Sequence, residues 1–449
     1  MEKFLSHTLL KQTNLFKDQI LELTCRELSF EGLGTTRVNN YPILVNNFYP
    51  GEIAKVKIEQ VYAKYAIGKI IDFIKYSSER SENQYTNIDA MPLVNLEYTK
   101  ALKYKQIYLE TLFKRNFEYF KLNTIIASQK VFNYRNKVKY PVKVVKNTLV
   151  LASYVKNTND LNFDTANLIL NNPNLNQSLK LILDYLNNYY FQNQKLAHLK
   201  FFKTILIRIN ELNDVQIGFE LKTEYDLPKK LITKLLEIDK IIEIYVWKNF
   251  SYQKIASKKD FYLTLNNKSF KLNLNSFFQI NNDVAKNIFD LVKEINDAKF
   301  TKLLDLFCGA GVISTLVAKE SQEILGIDIV KEAIIDAKFN AKKNNLKHHF
   351  VAKDIFKEND VLKPFLDNST LTIIDPPRSG LNTDLINLLG RNNILNLIYI
   401  SCNPRTLVRD LKDFINNGYK VNYIQPFDMF PHTFHLELVC FITKEGNNE

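Results

Sequence analysis

Apolar and polar side chains alternate with a period of two through much of residues 13–76, the spacing of strands with one face buried. Lys55, Lys57 and Glu59 interleave with Val56 and Ile58, and Ile20-Leu21-Glu22-Leu23-Thr24-Cys25 opens with strand character. Glu31-Gly32-Leu33-Gly34 and Pro50-Gly51 read as turns. The pattern predicts a small β-barrel as an N-terminal domain over residues 1–76. Residues 77–270 mix helical stretches, roughly 98–120 and 177–192, with β-like runs such as Thr204-Ile205-Leu206-Ile207-Arg208-Ile209. That mixture predicts a central α+β domain, with Asn-rich stretches between 157 and 176 as a mobile surface connection. Residues 271–449 alternate strand-like and helix-like segments, the signature of a doubly wound α/β domain. Here Leu303–Phe307 reads as a buried strand and Cys308-Gly309-Ala310-Gly311 as the turn into a helix running to about Glu320. Glu323–Asp328 is a second strand ending in a carboxylate.

Composition narrows the partners. Sixty basic and 48 acidic side chains leave a net charge of +12, which points to a polyanion. Four cysteines in 449 residues exclude a disulfide framework and indicate a reducing compartment. No apolar run approaches the length of a membrane span, and the first residues lack an uninterrupted apolar core of a leader. The expectation is a cytoplasmic protein, monomeric, with no membrane association and no metal site, since no Cys/His spacing suggests zinc.

Candidate chemistry sits at three places. Cys402, in Ile400-Ser401-Cys402-Asn403-Pro404-Arg405, follows an apolar strand and precedes a proline suited to a first helical turn. A thiol at such a corner lies near a helix N-terminus, where the dipole, aided by Arg405, favours the nucleophilic thiolate. Glu437 lies in the apolar run Leu436-Glu437-Leu438-Val439, where a carboxylate is out of place unless it faces water or a site. Asp328 follows the glycine turn at about the 20-residue interval at which an acid reaches a ribose in a nucleotide-binding βαβ unit. The third glycine of a dinucleotide fingerprint is missing, because Val312-Ile313-Ser314 follows Gly311. Asp375 ends a fourth strand, where open α/β sheets place ligand-binding groups. In Lys130–Tyr140, read as a strand, Arg135, Lys137 and Lys139 share one face, with Tyr134 and Tyr140 available for stacking, so this strand is a candidate RNA contact.

The ordered set Leu304-Asp305-Leu306-Phe307-Cys308-Gly309-Ala310-Gly311, Asp375-Pro376-Pro377-Arg378-Ser379-Gly380, Ser401-Cys402-Asn403-Pro404-Arg405 and Pro431-His432-Thr433 before Leu436-Glu437 resembles the RNA uracil-C5 (5-methyluridine) methyltransferases. The resemblance implies a class I S-adenosylmethionine-dependent catalytic domain over 271–449. It makes Cys402 the nucleophile toward uracil C6 and Glu437 the base that removes the C5 proton. Ser276-Phe277-Phe278-Gln279-Ile280-Asn281 matches the family's Phe-x-Gln-x-Asn segment, so Gln279 would hold the methionine end of the donor. Phe307 would lie along the donor, Asp328 would take its ribose and Asp354 its adenine edge, with Asp375 also in the cofactor site. Phe277 would hold a flipped base. Residues 13–76 resemble the TRAM domain, an OB-like RNA-binding barrel characteristic of the ribosomal RNA members. This favours 23S ribosomal RNA as the substrate, with transfer RNA as the alternative. Relatives that carry an iron–sulfur cluster use cysteines around the central domain; none lies here between Cys25 and Cys308, so no cluster is expected. An adenine amino-methyltransferase usually has an aromatic residue after the paired prolines, where Arg378 stands here. A non-catalytic RNA-binding ribosome-assembly factor would need neither Cys402 nor Glu437.

Overall fold

The structure, a computed structural model, describes residues 15–86, 90–154, 161–162, 166–222, 225–296, 299–392 and 394–444. The chain groups into two compact units, Met1–Leu112 with Phe430–His435, and Phe113–Met429 with Leu436–Glu449.

In the first unit, β1 (Ile20–Thr24), β2 (Glu27–Leu28), β3 (Gly34–Val38), β4 (Tyr41–Val45), β5 (Ile53–Val61) and β6 (Ala66–Lys75) form one sheet in the order β1-β5-β6-β4-β3-β2. The period of two is realised directly: Val56 and Ile58 are buried with Leu23, Ile43, Val45 and Ala66, while Lys55 and Glu59 stay exposed. Glu52 is buried but fully engaged. It accepts hydrogen bonds from Arg80 and from the N–H groups of Tyr49 and Ser77 at 2.8 and 3.0 Å. Pairing of this kind is what makes a buried charge tolerable. Helix α1 (Tyr98–Lys114) follows. It stops six residues before the limit that the apolar spacing predicts. Phe117 and Phe120 keep helical spacing beyond the last turn because their rings cluster on Phe113, at 5.9 and 5.8 Å, although the chain has left the helix.

The second unit holds two sheets of six or more strands. In the central one, β7 (Lys137–Val145), β8 (Thr148–Leu151), β11 (Phe202–Ile209), β12 (Val215–Leu221), β13 (Ile241–Lys248) and β14 (Ser251–Ser257) run in the order β14-β13-β12-β11-β7-β8. The short pair β9 (Ser153–Tyr154) and β10 (Leu161–Asn162) lies beside it in sequence. Helices α2 (Pro173–Gln192) and α3 (Lys229–Glu237) bury Leu175, Leu179, Leu231 and Leu235 against one face of this sheet. Of the Asn-rich stretch, residues 157–160 and 163–165 lie outside the described residues. The remainder is more regular than a surface connection: Ala166–Leu170 is a 3-10 turn, and Asn172 caps α2 by accepting from the Asn174 N–H at 2.9 Å.

A hairpin, β15 (Tyr262–Leu265) and β16 (Lys268–Lys271), leads to α4 (Asn282–Ile295) and the α/β layer. That layer comprises β17 (Lys302–Leu306), α5 (Val312–Val317), β18 (Glu323–Asp328), α6 (Lys331–Lys343), β19 (Lys347–Ala352), β20 (Thr370–Ile374), α7 (Thr383–Arg391), β21 (Asn396–Ser401), α8 (Pro404–Asn416), β22 (Tyr419–Phe427) and β23 (Glu437–Lys444). The strand order is β19-β18-β17-β20-β21-β23-β22. All pairs are parallel except those of β23, which is antiparallel to both neighbours. The chain winds outward from β17 to β19 and then returns to β20 on the other side of β17. This reversal is where open α/β sheets bind their ligands.

Candidate active site

The strand register gathers the candidate residues along one edge. Leu306 pairs with Ile327 and Ile374, and Ile374 with Tyr399. Phe307, Asp328, Asp375 and Cys402 therefore emerge together at the carboxyl ends of four parallel strands. The antiparallel β23 contributes its first residue to the same edge. Ser401 pairs with Leu438, and one step further along the register sets Cys402 opposite Glu437. Two residues 35 positions apart in sequence thus meet through sheet geometry alone.

Cys402 is half-buried, at the corner before α8. Pro404 begins that helix, as its position in the sequence predicts, and the Asn403 side chain accepts from the Arg405 N–H at 3.2 Å. The helix start does not make the thiol acidic. Burial and the Glu437 charge raise it to about 11 against the pull of Arg378, which lowers it by charge and by a hydrogen bond. The expected help from Arg405 is thus corrected: Arg378, in the loop after β20, is the cation that acts on the thiol. Sequence reasoning quoted Arg378 but gave it no role, since only the adjacency of β20 and β21 brings it to Cys402. Glu437 is buried, and its carboxyl is raised well above the usual range by burial and by Asp375, with Arg378 opposing. Asp375 is raised to about 7 by burial and by the charges of Asp305 and Asp328.

The glycine turn is shaped for a ligand. Phe307 has φ of 65°, a left-handed conformation that costs a non-glycine residue energy. Gly309 is also left-handed, and a Cβ placed on it would meet nothing within 4 Å, so the space over the turn is open. Its N–H donates to Asp328 Oδ2 at 2.9 Å, while Asp328 Oδ1 accepts from Val330 N–H at 2.8 Å. Both oxygens of Asp305 are buried without a well-formed hydrogen bond among the described residues, and burial raises its carboxyl to about 7 against the opposing hydroxyl and N–H of Ser314. Asp354 follows β19, accepts from the Phe356 N–H at 3.2 Å and pairs with Lys357 at 3.1 Å. Phe356, which the sequence did not single out, sets its ring 5.5 Å from that of Phe307. Ile329, directly after Asp328, is 65% exposed, an apolar side chain left uncovered beside the acid. Gln279 is buried, and its side-chain amide makes no hydrogen bond among the described residues. Phe277, two residues earlier, is 64% exposed.

The basic strand is arranged differently from the expectation. Arg135 precedes β7 and pairs with Asn171, outside the regular strand. Lys137 points into the unit and donates to the Leu274 carbonyl at 2.9 Å. Burial and the neighbouring Arg208 lower its pKa well below the usual lysine value. Lys139 pairs with Glu220 at 3.0 Å. Tyr134 is buried, and the Tyr140 hydroxyl accepts from Asn171 at 2.9 Å. An open row of three cations flanked by free rings is therefore not what the strand presents. The alternation holds within β7 for Lys137 and Lys139 but does not extend to Arg135, and the face is covered at Lys137. What remains open on this sheet is a cavity of about 860 Å³ lined by Lys139, Lys143, Lys200, Lys203 and Lys222, with Glu220 among them.

Residues 97–445 match the family model described as tRNA (Uracil-5-)-methyltransferase, and residues 16–71 match the TRAM domain. The chain belongs to the tRNA (uracil-5-)-methyltransferase family. It is 29% identical to an uncharacterized RNA methyltransferase of Fusobacterium nucleatum, over 98% of this chain and 99% of the relative. It is 26% identical to another of Enterococcus faecalis, over 95% and 98%. The fold is that of the Pyrococcus abyssi tRNA (uracil-54, C5)-methyltransferase, solved with S-adenosyl-L-homocysteine, with a TM-score of 0.73 and 23% identity over 94% of this chain and all of that one. As a member of this family, the protein is an RNA (uracil-5-)-methyltransferase dependent on S-adenosylmethionine. The open space over Gly309, the buried Asp305 and the uncovered Ile329 fit such a donor: a nucleoside with a charged amino-acid end and no pyrophosphate.

Proposed function

We propose that the protein forms 5-methyluridine in large-subunit ribosomal RNA through a covalent bond between Cys402 and uracil C6. The observation that carries this reading is the register that sets Cys402 opposite Glu437, with Arg378 and Asp375 beside them. For the donor, Gln279 would hold the methionine end, Asp328 the ribose, and Phe307, Phe356 and Ile329 the adenosine faces, with Asp354 at the adenine edge. When bound, S-adenosylmethionine supplies an electrophilic methyl group on its sulfonium.

Uracil C5 is a weak nucleophile, and the thiol corrects that. Cys402 loses its proton to solvent and the thiolate adds to C6. The C5–C6 π pair becomes an enolate, whose carbon C5 takes the methyl group. Arg378 is placed to offset the negative charge that the thiolate and enolate carry in turn. Glu437 then accepts the C5 proton, the pair left on C5 re-forms the double bond, and the C6–S bond breaks. A carboxylate with a raised pKa is the stronger base once ionised, which suits it to a carbon acid. Asp375 keeps that proton affinity high through like charge.

Reaching Cys402 requires the uridine to leave its stack, and the exposed Phe277 offers a ring to receive it. The lysine-lined cavity on the central sheet would take the phosphate backbone. The TRAM domain supports ribosomal RNA as the substrate. Transfer RNA is the second reading, favoured by the description of the matching family model. Mapping 5-methyluridine in both RNAs from cells with and without the gene decides between them. Loss at a ribosomal position is expected, and loss confined to transfer RNA would overturn the choice. Wild-type protein should also be trapped on RNA carrying 5-fluorouridine, because fluorine cannot leave as a cation.

A further inference from the structure

The segment from Leu272 to Asn282, which carries Phe277 and Gln279 between β16 and α4, is strapped to the central sheet. One carbonyl after another is gripped from that sheet or the residue that leads into it. Leu272 accepts from Gln216 at 2.7 Å, Asn273 from Arg208 at 2.9 Å, and Leu274 from Lys137 at 2.9 Å. Ser276 accepts from the second guanidinium nitrogen of Arg208, and Gln279 from the Asn136 amide at 3.2 Å. Asn275 brackets the Tyr252 backbone, accepting from its N–H at 2.8 Å and donating to its carbonyl at 2.7 Å. A glycine makes the approach possible, since a Cβ on Gly218 would lie 2.7 Å from Leu274 Cδ2. Helix α6 holds the same segment through Asp336, which accepts from the Asn273 N–H and from Ser276 Oγ at 2.7 Å. Asn340, four residues on, donates to the carbonyls of both Lys271 and Ala310 at 3.1 Å and so ties the start of the segment to the glycine turn.

Arg208 is only 1% exposed. Burying a guanidinium to hold two backbone carbonyls is costly, and a loop with no exacting path would not need it. We propose that Lys137 and Arg208 are positioning residues for the methyl donor, fixing the backbone from which Gln279 and Phe277 project. The central domain on this view shapes the donor site as well as gripping RNA. The inference rests on Gln279 meeting the donor, as proposed above.

Lys137 provides the test, because it is half-buried and holds the strap through its hydrogen bond to the Leu274 carbonyl. In the full-length protein, Lys137→Met should weaken S-adenosylmethionine binding roughly fivefold to thirtyfold by calorimetry, the weight of one hydrogen bond. Lys137→Arg, which can still donate to Leu274, should recover most of it. RNA affinity across a salt series should keep the wild-type slope in both variants, and Gln279→Ala should weaken the donor by a similar factor. Donor affinity unchanged in Lys137→Met overturns the proposal, as does a reduced salt slope with normal donor binding, which would make Lys137 a phosphate contact. An unchanged Gln279→Ala overturns the reading on which the proposal rests, and the proposal with it, whereas a weakened Gln279→Ala beside an unchanged Lys137→Met overturns the positioning role alone.

Discussion

The edge of the α/β sheet and the strap at Leu272–Asn282 treat polar groups in opposite ways. Along the strap the carbonyls of Leu272, Asn273, Leu274, Ser276 and Gln279 each find a side-chain donor. At the sheet edge, both oxygens of Asp305 are buried short of a well-formed hydrogen bond among the described residues. Asp375 and Glu437 hold their protons more tightly than ordinary carboxylates do. A group whose work is to keep a shape is best saturated, since each bond removes an alternative conformation. A group that must exchange a proton or bind a ligand has to be left short of partners, and the fold bears the cost. The two regions lie in one unit, so the well-bonded strap can offset strain at the edge.

Substitutions at the two ends of this contrast should behave differently. The largest effect is expected for Cys402→Ala, which should lower turnover by roughly 10⁴–10⁶, the range seen when a nucleophile is removed. Donor binding and melting temperature should stay near wild type; measurable 5-methyluridine formation at more than a thousandth of the normal rate would remove the thiol from the reaction. Glu437→Gln should slow turnover by roughly 10²–10⁴ and leave a methylated RNA bound to protein through denaturing electrophoresis, because the amide cannot accept the C5 proton. A variant that traps nothing and turns over normally would make Glu437 an ordinary strand residue.

Asp305→Asn tests the cost of such a group. Its carboxyl is raised to about 7 in the fold, against about 3.9 in an unfolded chain. Between those values the folded state holds the proton that the unfolded state has lost, so stability is full below pH 4 and declines as pH rises toward 7. The Asn variant should match wild type at pH 4 and exceed it at pH 8 by about 2–4 kcal/mol in denaturant unfolding. Equal stability at both pH values would mean that the carboxylate is compensated in the fold. The smallest effect concerns Arg378. Alkylation of Cys402 should accelerate about tenfold per pH unit from 7 to 10, since the thiolate is the reactive form and the thiol titrates near 11. Arg378→Gln should shift that profile to higher pH and slow alkylation severalfold at pH 8. A superimposable profile would show that Arg378 does not act on the thiol.

Much of the edge was legible in sequence, because motif spacing reports strand ends: Asp328, Asp375 and Cys402 each terminate or follow an apolar run. The barrel's alternation and the Pro404 helix start were equally plain. The strap was not, and Lys137 shows why. A period of two says that Lys137 and Lys139 share a face, but not that Leu274, 137 residues away, covers that face at Lys137. Arg378 was obscure for the same reason: its effect on Cys402 passes between neighbouring strands. Phe356 and Ile329 were missed because an uncovered apolar side chain in a turn has no periodic signature. The end of α1 was misplaced because Phe117 and Phe120 continue a helical rhythm to serve a ring cluster.

The position of β23 also bears on how the protein comes into being. It is the last strand in sequence, yet it slots between β21 and β22 rather than adding at an edge. A growing chain therefore completes β21, and with it the thiol, before the strand bearing Glu437 emerges from the ribosome. β22 has no pairing partner in that sheet until β23 arrives. Pairings between distant segments form slowly, so the nascent chain passes through a stage that holds Cys402 without Glu437 opposite it. The pair proposed to act on the uridine is therefore complete only when the last of the described strands closes the sheet between β21 and β22.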